Sequence, residues 1–435
     1  MTMRYVRRLA LATSVTASLV LTGCGVGGGG GDDGGKAQDA AKGKITGSIS
    51  FQTWNLKAGF KGYFEDVVDT FEKKHPGTKV KWIDQPAEGY ADKLSADAAG
   101  DTLPDVINLD RSTAAPLAKA KLLLDLDEAD PGAGKDYLAG AWKSNDWKDA
   151  GGHYAYPWYL NTGPTLYNTG LFKKAGMNTK KLPTTYDELF DQAMEMAKKS
   201  KKQYAMIGQL PGTDVMAKYG IKVMNDAQTK YVFNSPEGVA FVKKYVELYK
   251  AGAIIPEALS QDYVNEGKNF QSGRLAYLPG SSYTVKELKK NAPSVYKNLA
   301  IQPQITNNAP GMYIQSVGVS AHTKNSATAL AFARFVTDAE NQLAFAKEAD
   351  VFPSGSDGAK AEYFHADDGS DAAKVRVLSA DQLDKAVEYT WPGTSEAQKT
   401  DLREQIALAV SGKKSVKKAL DDAVAFANKQ AQDGK

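Results

Sequence analysis

Apolar residues recur along this chain with two alternating periods. Ile49 and Phe51 alternate with polar neighbours, which predicts a strand ending near Trp54. Phe60, Phe64, Val67, Val68 and Phe71 follow at helical spacing. Lys73, Lys74 and His75 suit the carboxyl end of that helix, and Pro76-Gly77 stops it. Val80-Lys81-Trp82-Ile83 predicts a second strand. The short apolar run Asp105-Val106-Ile107-Asn108-Leu109 predicts a buried parallel one. Strand, helix and strand in this order predict α/β layers, so the expected fold class is α/β.

Later helices are well punctuated. Thr185 and Glu188 predict a capping box before Tyr186, Leu189, Phe190, Ala193 and Ala197. Ser235-Pro236 predicts an N-cap followed by proline in the first turn, and Gly252 suits that helix's end. Ala329, Phe332, Ala333 and Val336 mark one helix face; Leu402, Ile406, Ala409 and Val410 mark another. Val416, Ala419, Leu420, Ala423 and Ala427 mark the last. No internal repeat is visible.

The amino terminus has a different pattern. Arg4, Arg7 and Arg8 precede a short apolar run, Leu9 to Leu21, and then Leu21-Thr22-Gly23-Cys24. Residues 1–23 read as a secretory signal. The last four residues resemble a bacterial lipobox, which implies lipidation of Cys24. The pair Arg7-Arg8 leaves a twin-arginine export route open beside the general one. Residues 24–44, rich in glycine, read as a flexible tether reaching roughly 25 Å. The expected location is the outer face of the cell membrane, held by lipid.

Composition narrows the function. The chain has 435 residues, 42% hydrophobic and 24% charged, with a formal charge of +3. That balance suits a globular body of two or three domains and excludes a disordered chain or a multi-span membrane protein. Removing residues 1–23 takes away three arginines and no acid, so the charge falls to zero. No nucleic-acid partner is expected. A single cysteine excludes an intrachain disulfide and a multi-cysteine metal site.

Signals for catalysis are weak. His75, His153, His322 and His365 are isolated, and no Gly-x-Ser-x-Gly elbow occurs. Ser411 with Lys414 and Ser415 with Lys418 match Ser-x-x-Lys, but in a lysine-rich turn without the partner motifs. Asp367 to Asp371 lacks the spacing and closing glutamate of a calcium loop. With 51 acidic side chains, no carboxylate pair stands out for glycoside cleavage.

Aromatic residues beside polar ones and glycines do stand out, in segments expected to be loops. They are Trp54-Asn55, Tyr156 to Asn161, Pro279 to Tyr283, Gly311 to Gln315 and Tyr389 to Gly393. A flat ring covers the C–H face of a sugar while Asn, Asp, Arg and Gln bond its hydroxyl rim.

The body from Ile45 to Lys429 resembles the extracellular solute-binding proteins of ATP-driven sugar importers, the maltose-binding-protein-like group. The resemblance runs in order through Phe71 to Gly77, Leu103 to Ile107, Tyr156-Pro157 with Leu166-Tyr167-Asn168, Leu182 to Leu189, and Val317 to Ser320 with Pro353-Ser354. It implies a two-lobed, periplasmic-binding-protein-like type II fold with a hinge and an interlobe cleft. Lobe 1 is expected at 45–159 plus 320–357, and lobe 2 at 160–319 plus 358–430. The implied function is capture of a carbohydrate, expected to be an oligosaccharide, and delivery to the permease subunits of an ABC importer. The implied protein is a monomer and not an enzyme, and needs neither cofactor nor metal.

The resemblance also implies ligand contacts at Trp54, Asn55 and Lys57 after the first strand and at the pair Asp110-Arg111. A charged acceptor and donor side by side grip neighbouring hydroxyls. Asn161 stands where the maltose-binding member has a carboxylate, and Tyr283 where it has a stacking tryptophan. Tyr90, Trp158, Tyr159, Ser281, Tyr313 and Trp391 complete the expected set. Three alternatives stay open: the same fold binding a polyol, sugar phosphate or peptide; an exported carbohydrate-processing enzyme; and a sensor without transport.

Overall fold

A computed structural model describes residues 42–86, 88–147, 150–260, 263–391 and 394–433. The expected signal, Cys24, most of the tether and Pro392-Gly393 lie outside the described residues. The body opens with β1 (Gly47–Trp54), α1 (Lys57–Lys74), β2 (Thr78–Gln85), α2 (Tyr90–Ala99), β3 (Val106–Leu109) and α3 (Arg111–Lys119). β1 pairs in parallel with both β2 and β3, as the apolar pattern predicts.

The chain then passes through β4 (Ala155–Asn161), β5 (Thr165–Asn168), α4 (Tyr186–Lys199), α5 (Thr213–Tyr219), α6 (Pro236–Ala251) and α7 (Tyr263–Gln271). Next come β6 (Tyr277–Pro279), α8 (Ser282–Asn291), β7 (Leu299–Gln302), β8 (Gly311–Val319), α9 (Ser326–Val336), α10 (Ala339–Ala349) and β9 (Phe352–Pro353). α11 (Asp371–Leu383), β10 (Val387–Glu388), α12 (Glu396–Val410) and α13 (Val416–Asp433) finish it. The large sheet has the order β9-β4-β8-β3-β1-β2, with β10 also on β8; a small antiparallel sheet has the order β6-β5-β7.

Each sheet carries its own core. Phe51, Phe64, Phe71, Trp158, Phe332 and Phe345 pack on the large sheet. Phe51 meets Phe332 edge-on at 5.2 Å, and Trp158 stacks on Phe345 at 5.5 Å. On the small sheet Tyr167, Phe172, Phe190, Phe241 and Phe270 pack with Leu402, Ile406 and Leu420 of the last two long helices. Burial of the rings drives both clusters, and edge-to-face geometry adds about 0.5–1.5 kcal/mol per pair.

Two segments expected as loops are strands. Tyr156 to Asn161 lies in β4, and Gly311 to Gln315 in β8. The two pair antiparallel from Asn161↔Tyr313 to Ala155↔Gly318, with a shift of register at Gln315/Ser316. They carry the chain between the sheets: β4 leads into β5, and β8 ends beside β3. Thr162 donates to the Gly311 carbonyl at 2.8 Å. Beside it a Cβ on Gly163 would stand 2.0 Å from the Gly280 carbonyl oxygen, so only glycine fits this close approach.

The caps follow the sequence with one change. Ser235 accepts from the Gly238 amide at 3.2 Å, and Gly252 ends that helix at φ +79°. Thr185 accepts from the Glu188 amide, but the Glu188 carboxylate turns to the amide and hydroxyl of Thr184, both at 2.9 Å. The predicted box is therefore half formed, its return bond displaced by one residue.

Phe332 has no exposed surface and meets the rings of both Phe51 and Phe71 in the large-sheet core. Phe332→Ala is expected to lower unfolding free energy by about 3–5 kcal/mol. Urea denaturation checks this, and an unchanged midpoint would contradict the core assignment.

Candidate functional site

The carboxyl ends of β1 and β3 present the first group of expected residues. Trp54 ends β1 and stacks on Tyr90, the first residue of α2, at 5.6 Å with the planes 14° apart. The Tyr90 hydroxyl donates to the Asn108 carbonyl at 2.7 Å, which fixes the ring beside β3. Asn55 is exposed with φ +54°, a turn conformation that Asn tolerates. Lys57 is exposed, with its ammonium 5.2 Å from the Trp82 ring centroid.

Asp110 and Arg111 follow β3. Asp110 Oδ1 caps α3, accepting from the Thr113 amide and hydroxyl and the Ser112 hydroxyl, each at 2.8 Å. Part of this acid's bonding is thus spent on the helix. Arg111 extends to the other core: its Nη2 donates to Gln228 Oε1 at 3.2 Å. Gln228 lies at φ +55° in the loop between Met224 and Tyr231, which bridge each other and belong to the small-sheet core. Burial pulls the guanidinium pKa down, against the attraction of Glu388 and Asp146. Arg111 is therefore a polar contact between the two lobes.

A cavity of about 550 Å³ opens where the crossing strands reach the small sheet. Asn161, Ser281 and Tyr313, all expected, line it. Ser281 also caps α8 by accepting from the Thr284 amide at 3.3 Å. Tyr313 is 61% exposed although it sits within a strand, because its ring stands at the cavity mouth. Trp391 lies in the wall of an adjoining cavity of about 150 Å³ that shares Tyr313, Asp214 and Arg403 with the first.

The other expected residues fall elsewhere. Trp158 is wholly buried between Phe64 and Phe345, so no ligand reaches it. Tyr159 is half-buried against Trp158 and Phe345. Tyr283 is 70% exposed in the first turn of α8 and does not line the cavity. Strand alternation explains the first case: once Tyr156 to Asn161 is a strand, a side chain in the middle of the sheet points into the core.

Several cavity residues were not singled out by the sequence. Tyr186, Tyr245 and Tyr277 come from α4, α6 and β6; Gln209 comes from a loop; Asp214 and Lys218 come from α5; Glu266 comes from α7; and Arg403 comes from α12. Tyr186 was legible only as a helix-face residue. Glu266 gave no signal, since its neighbours Asn265, Gly267 and Lys268 read as solvent-facing.

Glu266 is 7% exposed, and its Oε2 accepts from Gln209 Nε2 at 2.5 Å. Burial pushes its pKa up from 4.5 to about 7, with the Gln209 bond opposing. Between those values the native state holds more protons than the unfolded chain, so stability falls as pH rises through this window. Glu266→Gln is expected to flatten that fall and to gain roughly 3 kcal/mol over the parent at pH 8, with little gain at pH 4. Urea denaturation of both forms at the two pH values checks this, and parallel pH profiles would contradict it.

Residues 54–343 match the sequence profile described as bacterial extracellular solute-binding protein. The diacetylchitobiose binding protein DasA of Streptomyces coelicolor is 24% identical over 80% of this chain and 82% of its own length. A maltooligosaccharide ABC transporter solute-binding lipoprotein of Streptococcus pneumoniae is 24% identical over 95% of this chain and 94% of its own. Among solved structures, a periplasmic-binding protein of Synechococcus sp. MITs9220 superposes with a TM-score of 0.77 at 27% identity, covering 88% of this chain and 99% of that one. The two sheets, the crossing strands and the cavity beside them agree with the profile match: the chain belongs to the bacterial extracellular solute-binding protein family.

Proposed function

We propose that this chain captures a carbohydrate in the cleft and delivers it to the permease of an ABC importer. One observation carries the reading: a cavity of about 550 Å³ joins four tyrosines with Asn161, Gln209, Gln304 and both signs of charge. The size suits a small ligand, and rings beside paired donors and acceptors suit a sugar's C–H face and hydroxyl rim. The relatives named above for maltooligosaccharide and diacetylchitobiose support the class.

In this reading lobe 1 spans 45–159 plus 320–357 and lobe 2 spans 160–319 plus 358–430; the two large cores support the division, and a further cluster around Leu160, Ile314, Phe352 and Phe364 joins residues of both. Cys24 carries the lipid, and the glycine-rich tether lets the body work outside the membrane. Sugar held in the cleft stabilises the closed arrangement of the lobes in proportion to its extra affinity for it. Arg111, already across the gap to Gln228, supplies a lobe-1 donor to that state. No chemical step is assigned to the protein, and it acts as a monomer.

A thermal-shift screen against mono- and oligosaccharides, polyols and peptides tests this. A sugar at 100 times its dissociation constant adds about 2.7 kcal/mol to stability. A shift with a sugar that is recovered unaltered supports the reading. A shift with peptides alone would remove the sugar assignment, and conversion of the sugar into products would make the protein an enzyme.

Tyr313→Ala is expected to weaken that sugar by about 1–3 kcal/mol while leaving the melting temperature of the unliganded protein nearly unchanged. Calorimetric titration checks this, and parental affinity would show that the ligand sits away from the cavity mouth.

A further inference from the structure

One acid in the cavity has no cation acting on it among the described residues. Asp214 pairs with Lys218 at 3.4 Å, and Arg403 feels its attraction as well. Glu266 has only the Gln209 amide within reach among the described residues, and burial is the larger influence on it. Buried carboxyl groups are ordinarily paired, because an isolated charge is costly to remove from water. A protein that keeps an unpaired acid in a ligand cavity sacrifices stability there, which is the mark of a site shaped for something else.

The surroundings are built to hold that acid. A Cβ on Gly208 would fall 2.5 Å from Glu266 Cγ and 2.7 Å from Oε1, so the missing side chain at position 208 makes the room. Tyr186, Tyr245 and Tyr277 line the same cavity from three different elements. The negative charge of Glu266 bears on the hydroxyls of Tyr245 and Tyr277, and Asp214 bears on all three. Glu266 thus acts on two tyrosines and meets one amide, with Tyr186 in the lining of the same cavity and Asp214 paired to Lys218.

A carboxylate beside tyrosine rings, with no cation among the described residues acting on it, complements a cation brought by the ligand. The ring faces attract positive charge, the carboxylate neutralises it, and the phenol oxygens accept its N–H bonds. A neutral hydroxyl would make one bond and leave the acid uncompensated. We propose that Glu266, with Tyr186, Tyr245 and Tyr277, forms a subsite for a protonated amino nitrogen carried by the sugar. The proposal rests on the reading of the cleft as a sugar site and narrows its substrate class to amino sugars.

The test is calorimetric titration of the purified chain at pH 7 with matched probes. They are the β-1,4 glucosamine dimer and cellobiose, which differ only in amine against hydroxyl; glucosamine and glucose; galactosamine and galactose; N,N′-diacetylchitobiose, whose nitrogens are uncharged; maltotriose; and spermidine, an amine without a sugar. An amino sugar is expected to bind at least tenfold tighter than its hydroxyl counterpart and to lose that margin at pH 5, where Glu266 takes up a proton. Glu266→Gln, shown to be folded by circular dichroism, is expected to bring the ratio near one. Neutral sugars binding as tightly as amino sugars would overturn the amine subsite and leave the sugar reading standing. A preference that survives Glu266→Gln would overturn the assignment of this residue. Binding of spermidine with no sugar bound, or of no probe at all, would overturn the sugar reading and this proposal with it.

Discussion

The pairing of β4 with β8 is the constraint on which the site depends. These strands are shared between the large sheet and the approach to the small one, so their register sets where each lobe's side chains meet. Buried polar groups fix that register. Asn108 donates to Gln315 Oε1 at 2.8 Å, and Asn145 donates to Ser316 Oγ at 2.9 Å. Ser354 donates to the Pro157 carbonyl at 2.7 Å, and Glu388 accepts from the Ile314 amide at 2.9 Å. A slip of one residue would send Tyr313 from the cavity mouth to the opposite face and leave these groups unpaired. Their bonds surround the irregularity at Gln315/Ser316, the point where the ladder changes from one neighbourhood to the other.

From that ladder the cleft assembles in two unequal shares. The small-sheet lobe supplies most of the walls, through the ends of β5 and β6 and the starts of α5 and α8. The crossing strands add Asn161, Gly311 and Tyr313, while Trp54, Tyr90, Asp110 and Arg111 gather at the ends of β1 and β3, outside the lining of that cavity. Ligands of open α/β sheets are met at strand carboxyl ends, where loops are free to vary while the sheet holds them. Arg111 joins the shares by its bond to Gln228. Its guanidinium is drawn toward Glu388, which itself holds β8, so the interlobe contact and the crossing strands are electrostatically linked.

Much of this fold was legible in the sequence because periodicity reports burial directly. Helix α1, strands β2 and β3, and the Ser235 and Gly252 caps follow from spacing and end residues alone. The aromatic segments misled for a physical reason. Tyr, Trp and Pro beside Asn look like an exposed patch, yet Tyr156 and Trp158 are core because β4 is an inner strand of the large sheet with helices packed on it. Glu266 shows the converse. An acid in a polar helix reads as solvated, and only the fold brings Gly208, Tyr245 and Tyr277 from distant segments to it. Local patterning exposes elements, whereas a cavity built from six elements has no local pattern.

Capture depends on one sugar being gripped from both lobes at the crossing strands. A crystal structure of the chain with a sugar taken from the binding screen tests it most directly. The sugar is expected against Tyr313, Asn161 and Gln209, with Arg111 reaching it from the opposite lobe. A sugar bound outside this cavity, or held by residues of one lobe alone, would contradict it.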